Sequence, residues 1–419
     1  MQNTEKNSIY KNIQDAISYA GKEMGLSDVT INNIIHPYNI INESVLVPEI
    51  GSEIDMYRVQ FNNALGPYKG GIRFHPDVNL DEVKTLAITM MLKCSLVGIP
   101  LGGAKGGATL NPHDYSDKQI EGVARAWART MAPYIGVDQD IPAPDVNTNG
   151  QVMSYMLDEY EKKIGRSEPG AITGKPLQLG GSKGRTQATS QGGVYSLLKV
   201  LEYDPGLAGE KKVIIQGFGN VGSYAALLLA DKGFTIVGIS DSQGAVYSQD
   251  GIDVKKVADE KAKERISLHD MFSNDDSIEK ISNEELLVQD CDILIPAALE
   301  NQITQKNASQ IKAKLIVELA NNPTSTEADA LLAEKNIVLI PDFLANAGGV
   351  TVSYFEWVQN RQQFYWSAKE VDDKLHAIIA DATDNVYTLS QKENLSLREA
   401  GFRIAVERVG KAVALRGHK

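Results

Sequence analysis

Apolar positions along this chain follow two rhythms. In the N-terminal part, residues 1 to about 50 read as helix, loop and a short apolar segment, Ser44-Val45-Leu46-Val47-Pro48. Residues 55–62 (DMYRVQFN) then alternate polar and apolar and predict a strand. From Asn79 the spacing turns helical, with Asn79 and Glu82 as a capping pair and Val83, Leu86, Ala87, Met90, Cys94 and Val97 on one stripe. Lys93 falls beside that stripe, where a lysine can bury its stem and aim its head into a cleft. Residues 116–134 predict a second amphipathic helix, ended near Pro133. Glycine crowds residues 165–193, and the domain junction is placed there. Beyond it short apolar runs alternate with helical stretches. Val194 to Leu201 and Ser223 to Lys232 read as helices. Val213 to Ile215, Phe234 to Ile239, Ile293 to Ile295, Leu315 to Glu318 and Ile337 to Ile340 read as strands. Such alternation predicts a parallel sheet covered on both faces. A helical tail is expected from about Ser353 to the end. The reading is a two-domain α/β chain. Residues 1–185 form one domain, residues 186–395 a second built on the parallel sheet, and residues 396–419 a final helix.

Composition narrows the function. At 419 residues the chain exceeds one ordinary core, in keeping with two domains. A net charge of −12 argues against a general nucleic-acid or membrane-surface binder, and makes any cluster of cations more telling. Two cysteines, Cys94 and Cys291, cannot make a disulfide framework and fit the reducing cytoplasm. The first thirty residues mix charges without an apolar run, so no signal peptide is expected. No stretch approaches the ~18 apolar residues of a membrane span.

Two lysines stand between glycines: Lys69 in GPYKGGIRF and Lys105 in GGAKGG, with Lys93 between them in sequence. Glycines on both sides let a ligand approach the backbone closely. Any one of these lysines reads more simply as a solvated side chain near a flexible loop. Three ammonium groups together suit a small molecule with more than one carboxylate. Asp145, in IPAPD, follows Pro142 and Pro144; a loop fixed by prolines would hold its carboxylate rigidly, as proton transfer requires. Taken alone it reads equally as a turn residue or the N-cap of the following helix.

Gly217-Phe218-Gly219-Asn220-Val221-Gly222 fits G-x-G-x-x-G, after an apolar strand and before an apolar helix. In that context the first glycine makes a tight turn, the second admits a pyrophosphate and the third packs helix on strand. The helix N-terminus offers N–H groups to the anion. Asp241 closes the next strand, roughly 20 residues further on, where an acid binds the ribose hydroxyls. It would repel a 2′-phosphate, favouring NAD over NADP, although Ser240 and Ser242 are able to contact a phosphate. GGAKGG and GGSKGR do not complete the nucleotide-hydrolysing P-loop pattern. No metal is expected.

The chain carries NNALGPYKGGIRFHPDVN, KCSLVGIPLGGAKGG, IPAPDVNTN, GRTQATSQGGVY, QGFGNVG, IPAALENQIT and PDFLANAGGVTVSYFEWVQN. Through these segments, over nearly its whole length, it resembles the glutamate dehydrogenases of the glutamate/leucine/phenylalanine/valine dehydrogenase family. The resemblance implies reversible oxidative deamination of L-glutamate to 2-oxoglutarate and ammonia, with NAD or NADP, in a cytoplasmic homohexamer. It implies a substrate and assembly domain over residues 1–185, a Rossmann-like dinucleotide-binding domain over residues 186–395, and a last helix, residues 396–419, that returns to the first domain. It implies that Lys69 pairs with the side-chain carboxylate of the substrate and that Lys93 holds the α-carboxylate. Lys105 is implied to polarise the carbonyl, and Asp145 to relay protons to and from the nitrogen. Ser353 would stand beside the side-chain carboxylate, with Val350 also at the substrate. Asn321 and Asn346 would lie near nicotinamide and substrate, and Thr189 and Asn220 on the cofactor side. Leu319 and Asn322 depart from the family pattern, which usually has glycine at both. A branched-chain or aromatic amino acid dehydrogenase shares the fold. Its relatives replace the lysine and serine at the side-chain carboxylate, and a buried Lys69 facing an aliphatic substrate would cost several kcal/mol. A catalytically silent NAD-binding subunit is the other alternative; it would be signalled by loss of Lys105 or Asp145, and both are present.

Overall fold

A computed structural model describes residues 9–264 and 266–417. The chain divides into two compact units. Unit 1 gathers the chain up to Arg185, residues 350–371 and the chain from Phe402 on; unit 2 gathers Thr186–Gly349 and Asp372–Gly401. The tail therefore differs from the contiguous reading above, which left residues 350–371 with the second domain. Hydrogen bonds explain the change. Ser353 meets Thr173, Glu356 takes Lys175, Trp357 donates to the Val137 carbonyl, Gln359 donates to Ser182 and Asn360 to the Gly180 carbonyl. The tail is helical, as expected, and consists of three helices.

Unit 1 opens with α1 (Ile9–Glu23) and α2 (Asp28–Ile35), then β1 (Asn39–Val47), β2 (Ser52–Gln60) and β3 (Tyr68–His75). It continues through α3 (Leu80–Leu96), β4 (Ala104–Thr109), α4 (Asp117–Met131), β5 (Asp140–Pro144) and α5 (Gly150–Ile164). The sheet runs β1-β2-β4-β3-β5, with β4, β3 and β5 parallel and β1 and β2 antiparallel. Sequence patterning reveals β1 poorly because only Ile41 and Val47 of its nine residues are buried. The core is built on one face of this sheet, from Met56, Ile72 and Phe74 against Trp127, Met131 and Met153 of α4 and α5. Burying an aromatic side chain such as Trp127 contributes roughly 2–3 kcal/mol.

Unit 2 contains α6 (Ala188–Tyr203), β6 (Lys212–Gln216), α7 (Asn220–Asp231), β7 (Thr235–Asp241), β8 (Gly244–Tyr247), α8 (Val254–Lys263), α9 (Leu268–Met271) and β9 (Glu279–Ile281). After α10 (Asn283–Leu287) come β10 (Ile293–Pro296), β11 (Leu315–Val317), α11 (Thr326–Glu334), β12 (Val338–Ile340) and α12 (Asp342–Ala345). The sheet runs β12-β11-β10-β6-β7-β8-β9. It is parallel from β12 to β7, and β8 and β9 join antiparallel at the edge. Buried on both faces, the parallel strands read as continuous apolar runs, which is why their positions were visible in the sequence. The chain ends with α13 (Gly348–Gln362), α14 (Ala368–Glu393) and α15 (Leu397–Leu415). Among the described residues, no helix is long and apolar enough to cross a membrane.

Candidate functional site

The two glycine-framed lysines lie on strands rather than on flexible loops. Lys69 is the second residue of β3 and Lys105 the second of β4, both inside the sheet. The glycines answer to the sheet itself. A Cβ on Gly70 would overlap the Ala104 carbonyl. Register sets Ile72 beside Gly106 and Lys69 beside Ile141, so Lys69, Gly71, Arg73 and Lys105 share one face. Gly71 leaves room on that face for Asp145, whose Cβ would lie 2.8 Å from an added methyl. Gly103, two residues before Lys105, meets Ala87 and Met91 of α3, so α3 and its Lys93 lie over the same side.

Asp145 follows β5, an edge strand, where Pro142 and Pro144 are tolerated. It is not a helix cap: Asn149 caps α5, its Oδ1 accepting from Gln151 and Val152. Thr148 closes the turn instead, accepting the Asp145 N–H at 2.8 Å and donating to the Ile72 carbonyl. Asn79 does cap α3, its Oδ1 accepting from the Asp81 and Glu82 N–H groups, while the Glu82 carboxylate takes Arg73 instead of returning to Asn79.

Lys105 Nζ lies 2.7 Å from Asp145 Oδ1, and Arg73 Nε donates to Oδ2 at 2.8 Å. The carboxylate is thus clamped between two cations, with its side chain 19% exposed. Burial alone would raise its pKa, but Lys105 and Arg73 hold it well below the usual carboxylate range. Burial lowers Lys105, Asp145 pulls it back up and Arg73 lowers it again. Lys69 is 1% exposed, and its one hydrogen bond described is donated to the Ile141 carbonyl at 3.1 Å. Burial, then the charges of Arg58 and Arg185, push it down to about 7. Lys93, in the last turn of α3, is also buried, and it and Lys69 both act electrostatically on the buried Cys94. On the opposite face Arg58 and Asp140 form a wholly buried ion pair, and Arg58 also donates to the Gly70 carbonyl. That pair fixes the backbone under the lysines.

Ser353, buried on α13, lies 2.9 Å from the Thr173 hydroxyl. Thr173 in turn donates its N–H to the Pro142 carbonyl, one residue beyond the carbonyl that takes Lys69. Val350 is buried in the first turn of the same helix. Arg185 stands close enough to Lys69 to depress it, and its buried Nε has no hydrogen-bond partner. Sequence reasoning missed Arg73, Thr173 and Arg185. Arg73 was detectable, since strand alternation from Lys69 places it on the same face; the others become relevant only through long-range contacts.

In unit 2 the three fingerprint glycines have three separate reasons. Gly217 has φ 94°, a left-handed conformation that turns the chain tightly. A Cβ on Gly222 would overlap the Gly217 carbonyl, so this glycine serves helix-on-strand packing. A Cβ on Gly219 would meet nothing within 4 Å. Gly219 is the N-cap of α7 and offers no side-chain cap, so the first-turn N–H groups, beginning with Asn220 and Val221, lie open. The residues present therefore fit a pyrophosphate. Phe218 is buried and donates its N–H to the Ser240 carbonyl. The Ser240 hydroxyl takes the Gly217 N–H and is buried, so it is spent on the turn rather than held for a phosphate. Asp241 accepts from the Gln243 and Leu268 N–H groups and pairs with Lys261 at 2.8 Å. Burial raises its pKa, and these three partners bring it below the ordinary value.

Thr189 is half-buried in the first turn of α6. Asn346 donates to Asn321 Oδ1 at 3.0 Å. The two departures at residues 319 and 322 have local explanations: Leu319 fills the space above Gly193, and Asn322 adopts φ 44°, which asparagine tolerates better than most residues. Lys69, Lys93, Lys105, Asp145, Ser353 and Val350 all belong to unit 1, and the fingerprint, Asp241, Thr189, Asn321 and Asn346 to unit 2. Among the described residues, no group of three or more His, Cys, Asp and Glu could hold a metal ion.

Two family models match the chain: Glu/Leu/Phe/Val dehydrogenase, dimerisation domain, over residues 48–162, and Glutamate/Leucine/Phenylalanine/Valine dehydrogenase over residues 180–417. An NAD-specific glutamate dehydrogenase of Staphylococcus aureus is 43% identical over 99% of both chains. An NADP-specific glutamate dehydrogenase of Synechocystis is 42% identical over 98% of this chain and 97% of its own. The crystal structure of a hetero-hexameric glutamate dehydrogenase from Thermus thermophilus, in a Leu-bound form, superposes with a TM-score of 0.91 at 32% identity. It covers 100% of this chain and 99% of that one.

Proposed function

Because the chain belongs to the glutamate/leucine/phenylalanine/valine dehydrogenase family, we propose that it catalyses the reversible oxidative deamination of L-glutamate to 2-oxoglutarate and ammonia, with NAD preferred over NADP. The observation that carries the chemistry is Asp145 held between Lys105 and Arg73 on the face that also bears Lys69. NAD, when bound, supplies the acceptor for the hydride leaving Cα. The open first turn of α7 holds the pyrophosphate and Asp241 the adenosine ribose. Asn321 and Asn346 face the nicotinamide, and Thr189 lies on the cofactor side.

Lys69 and Ser353 hold the side-chain carboxylate of glutamate, with Arg185, whose buried Nε has no hydrogen-bond partner, adding charge beside Lys69. Lys93 holds the α-carboxylate, and Val350 packs on the substrate. Loss of hydride and of one proton from nitrogen leaves an iminium, to which water adds. Asp145 takes the proton from that water and returns one to the nitrogen as the carbinolamine collapses. A positive Lys105 stabilises charge developing on the oxygen. Asp145 is too weak a base while both cations hold it. A substrate oxygen that draws the Lys105 ammonium toward itself removes half of the clamp and raises its basicity at the moment it is needed.

Steady-state kinetics at the reduced-nicotinamide absorbance test the assignment, with glutamate or leucine and with NAD or NADP. Turnover is expected on glutamate, with leucine far poorer and NAD the better acceptor. Nucleotide binding without turnover on any amino acid would mark a silent subunit instead. We place the protein in the cytoplasm, in keeping with two free, buried cysteines, and assign it a homohexameric assembly.

A further inference from the structure

One buried charge cluster in unit 2 has no part in the chemistry above. Glu318, wholly buried, follows β11 and leads into the 319–322 turn that carries Asn321. Its Oε2 accepts the Asp342 N–H at 2.9 Å and its Oε1 accepts from Arg398 Nη2 at 2.8 Å. Asp342 Oδ2 accepts the Asn322 N–H at 3.0 Å, pinning the far end of the turn, whose Asn322 is left-handed. Arg398 also pairs with Asp329 at 2.6 Å and lies 3.8 Å from Asp342. Three carboxylates thus share one guanidinium.

Arg398 sits in the first turn of α15. There the helix dipole disfavours a cation and favours an acid such as the neighbouring Glu399. The placement weakens the helix end and is offset by the carboxylates it meets, so it answers to the turn rather than to α15.

The geometry points to Arg398 as a positioning residue for the cofactor site: it holds Glu318 and Asp342, and through them the 319–322 turn on which the Asn321–Asn346 pair rests. This assignment depends on the reading of that pair as facing the nicotinamide. The groups facing Glu318 also make the device pH-sensitive. Burial raises it, Arg398 opposes and Asp342 reinforces, and together they leave it at about 7; Asp329, itself raised by burial and by the charges of Asp342 and Glu399, also shares Arg398. As pH falls through neutrality Glu318 takes up a proton and its pairing with Arg398 weakens.

The test compares NADH affinity, by fluorescence titration across neutral pH, for the full chain and for Arg398→Gln, Arg398→Lys, Glu318→Gln and Asn346→Ala. Arg398→Gln is expected to weaken NADH binding roughly tenfold, the scale of a lost charged hydrogen bond, with partial recovery in Arg398→Lys. The parent should lose affinity as pH falls through neutrality, and Glu318→Gln, uncharged and isosteric, should not. Unchanged affinity in Arg398→Gln alongside impaired Asn346→Ala overturns the role of Arg398 and leaves the reading of the pair intact. Unimpaired Asn346→Ala overturns that reading itself. Should Arg398→Gln fail to fold, the Glu318→Gln profile decides alone, and a pH dependence like the parent's overturns the proposal.

Discussion

In the proposed mechanism Asp145 moves protons, yet two cations hold it as an anion. Replacing Asp145 by Asn keeps its shape and removes its basicity. We expect turnover to fall by about 10²-fold or more while NADH still binds in a fluorescence titration; near-normal activity would remove Asp145 from the mechanism. Lys69 poses a second case. Its folded pKa is about 7 against the ordinary 10.5, so between those values the unfolded chain binds more protons. Stability of the free protein from this group therefore rises with pH across that window, and below it both states are protonated and the contribution is flat. A dicarboxylate that pairs with Lys69 recharges it. Binding of 2-oxoglutarate at mildly alkaline pH is expected to take up a proton, measured by calorimetry in buffers of different ionisation enthalpy. Heats independent of buffer would place the side-chain carboxylate elsewhere. Lys69→Leu combined with Ser353→Val should move the preference from glutamate toward aliphatic amino acids, read as the ratio of kcat/KM values.

Strand geometry decides what the glycines do. Gly70 and Gly71 are adjacent yet face opposite sides of β3, and an alanine at each should fail differently. At Gly70 the methyl would overlap the Ala104 carbonyl, and overpacking of this kind destabilises by about 1–3 kcal/mol or more. At Gly71 it would press on Asp145 Cβ at 2.8 Å and the Pro144 carbonyl at 2.9 Å. Thermal unfolding should therefore report chiefly Gly70→Ala, and kcat chiefly Gly71→Ala; equal effects on both would count against the shared face. The glycine frames were legible in the sequence, but their reason was not. They looked like openings for a ligand on loops, whereas close strands and the Asp145 carboxylate require them. The G-x-G-x-x-G turn was legible with its reason, because Gly217 needs its positive φ and Gly222 packs on Gly217 itself. Only Gly219, open to nothing within 4 Å, is left for a ligand. At the end of β7 the ion pair of Asp241 with Lys261 adds a cation where only an acid was visible. Asp241→Ala should raise use of NADP relative to NAD on the order of tenfold, since it removes a like charge and frees Lys261; an unchanged ratio of kcat/KM values would overturn Asp241 as the selector.

For the whole molecule, light scattering on the purified chain should give one species of six times 45.6 kDa; a stable monomer or dimer would refute the homohexamer. At this scale the sequence by itself determined the two-domain α/β class, the family and the separate locations of the lysine cluster and the G-x-G-x-x-G turn. These are carried by local periodicity and by motifs whose members lie within one turn or one strand. Tertiary structure alone decided that α13 from Val350 on belongs with unit 1, because Ser353, Glu356 and Asn360 find partners 180 or 181 residues away. It alone decided that Asp145 sits between Lys105 and Arg73, and that Arg398 gathers Glu318, Asp329 and Asp342. Charge pairing depends on distance in space, and nothing in the chain's local pattern records which distant carboxylate a cation will meet.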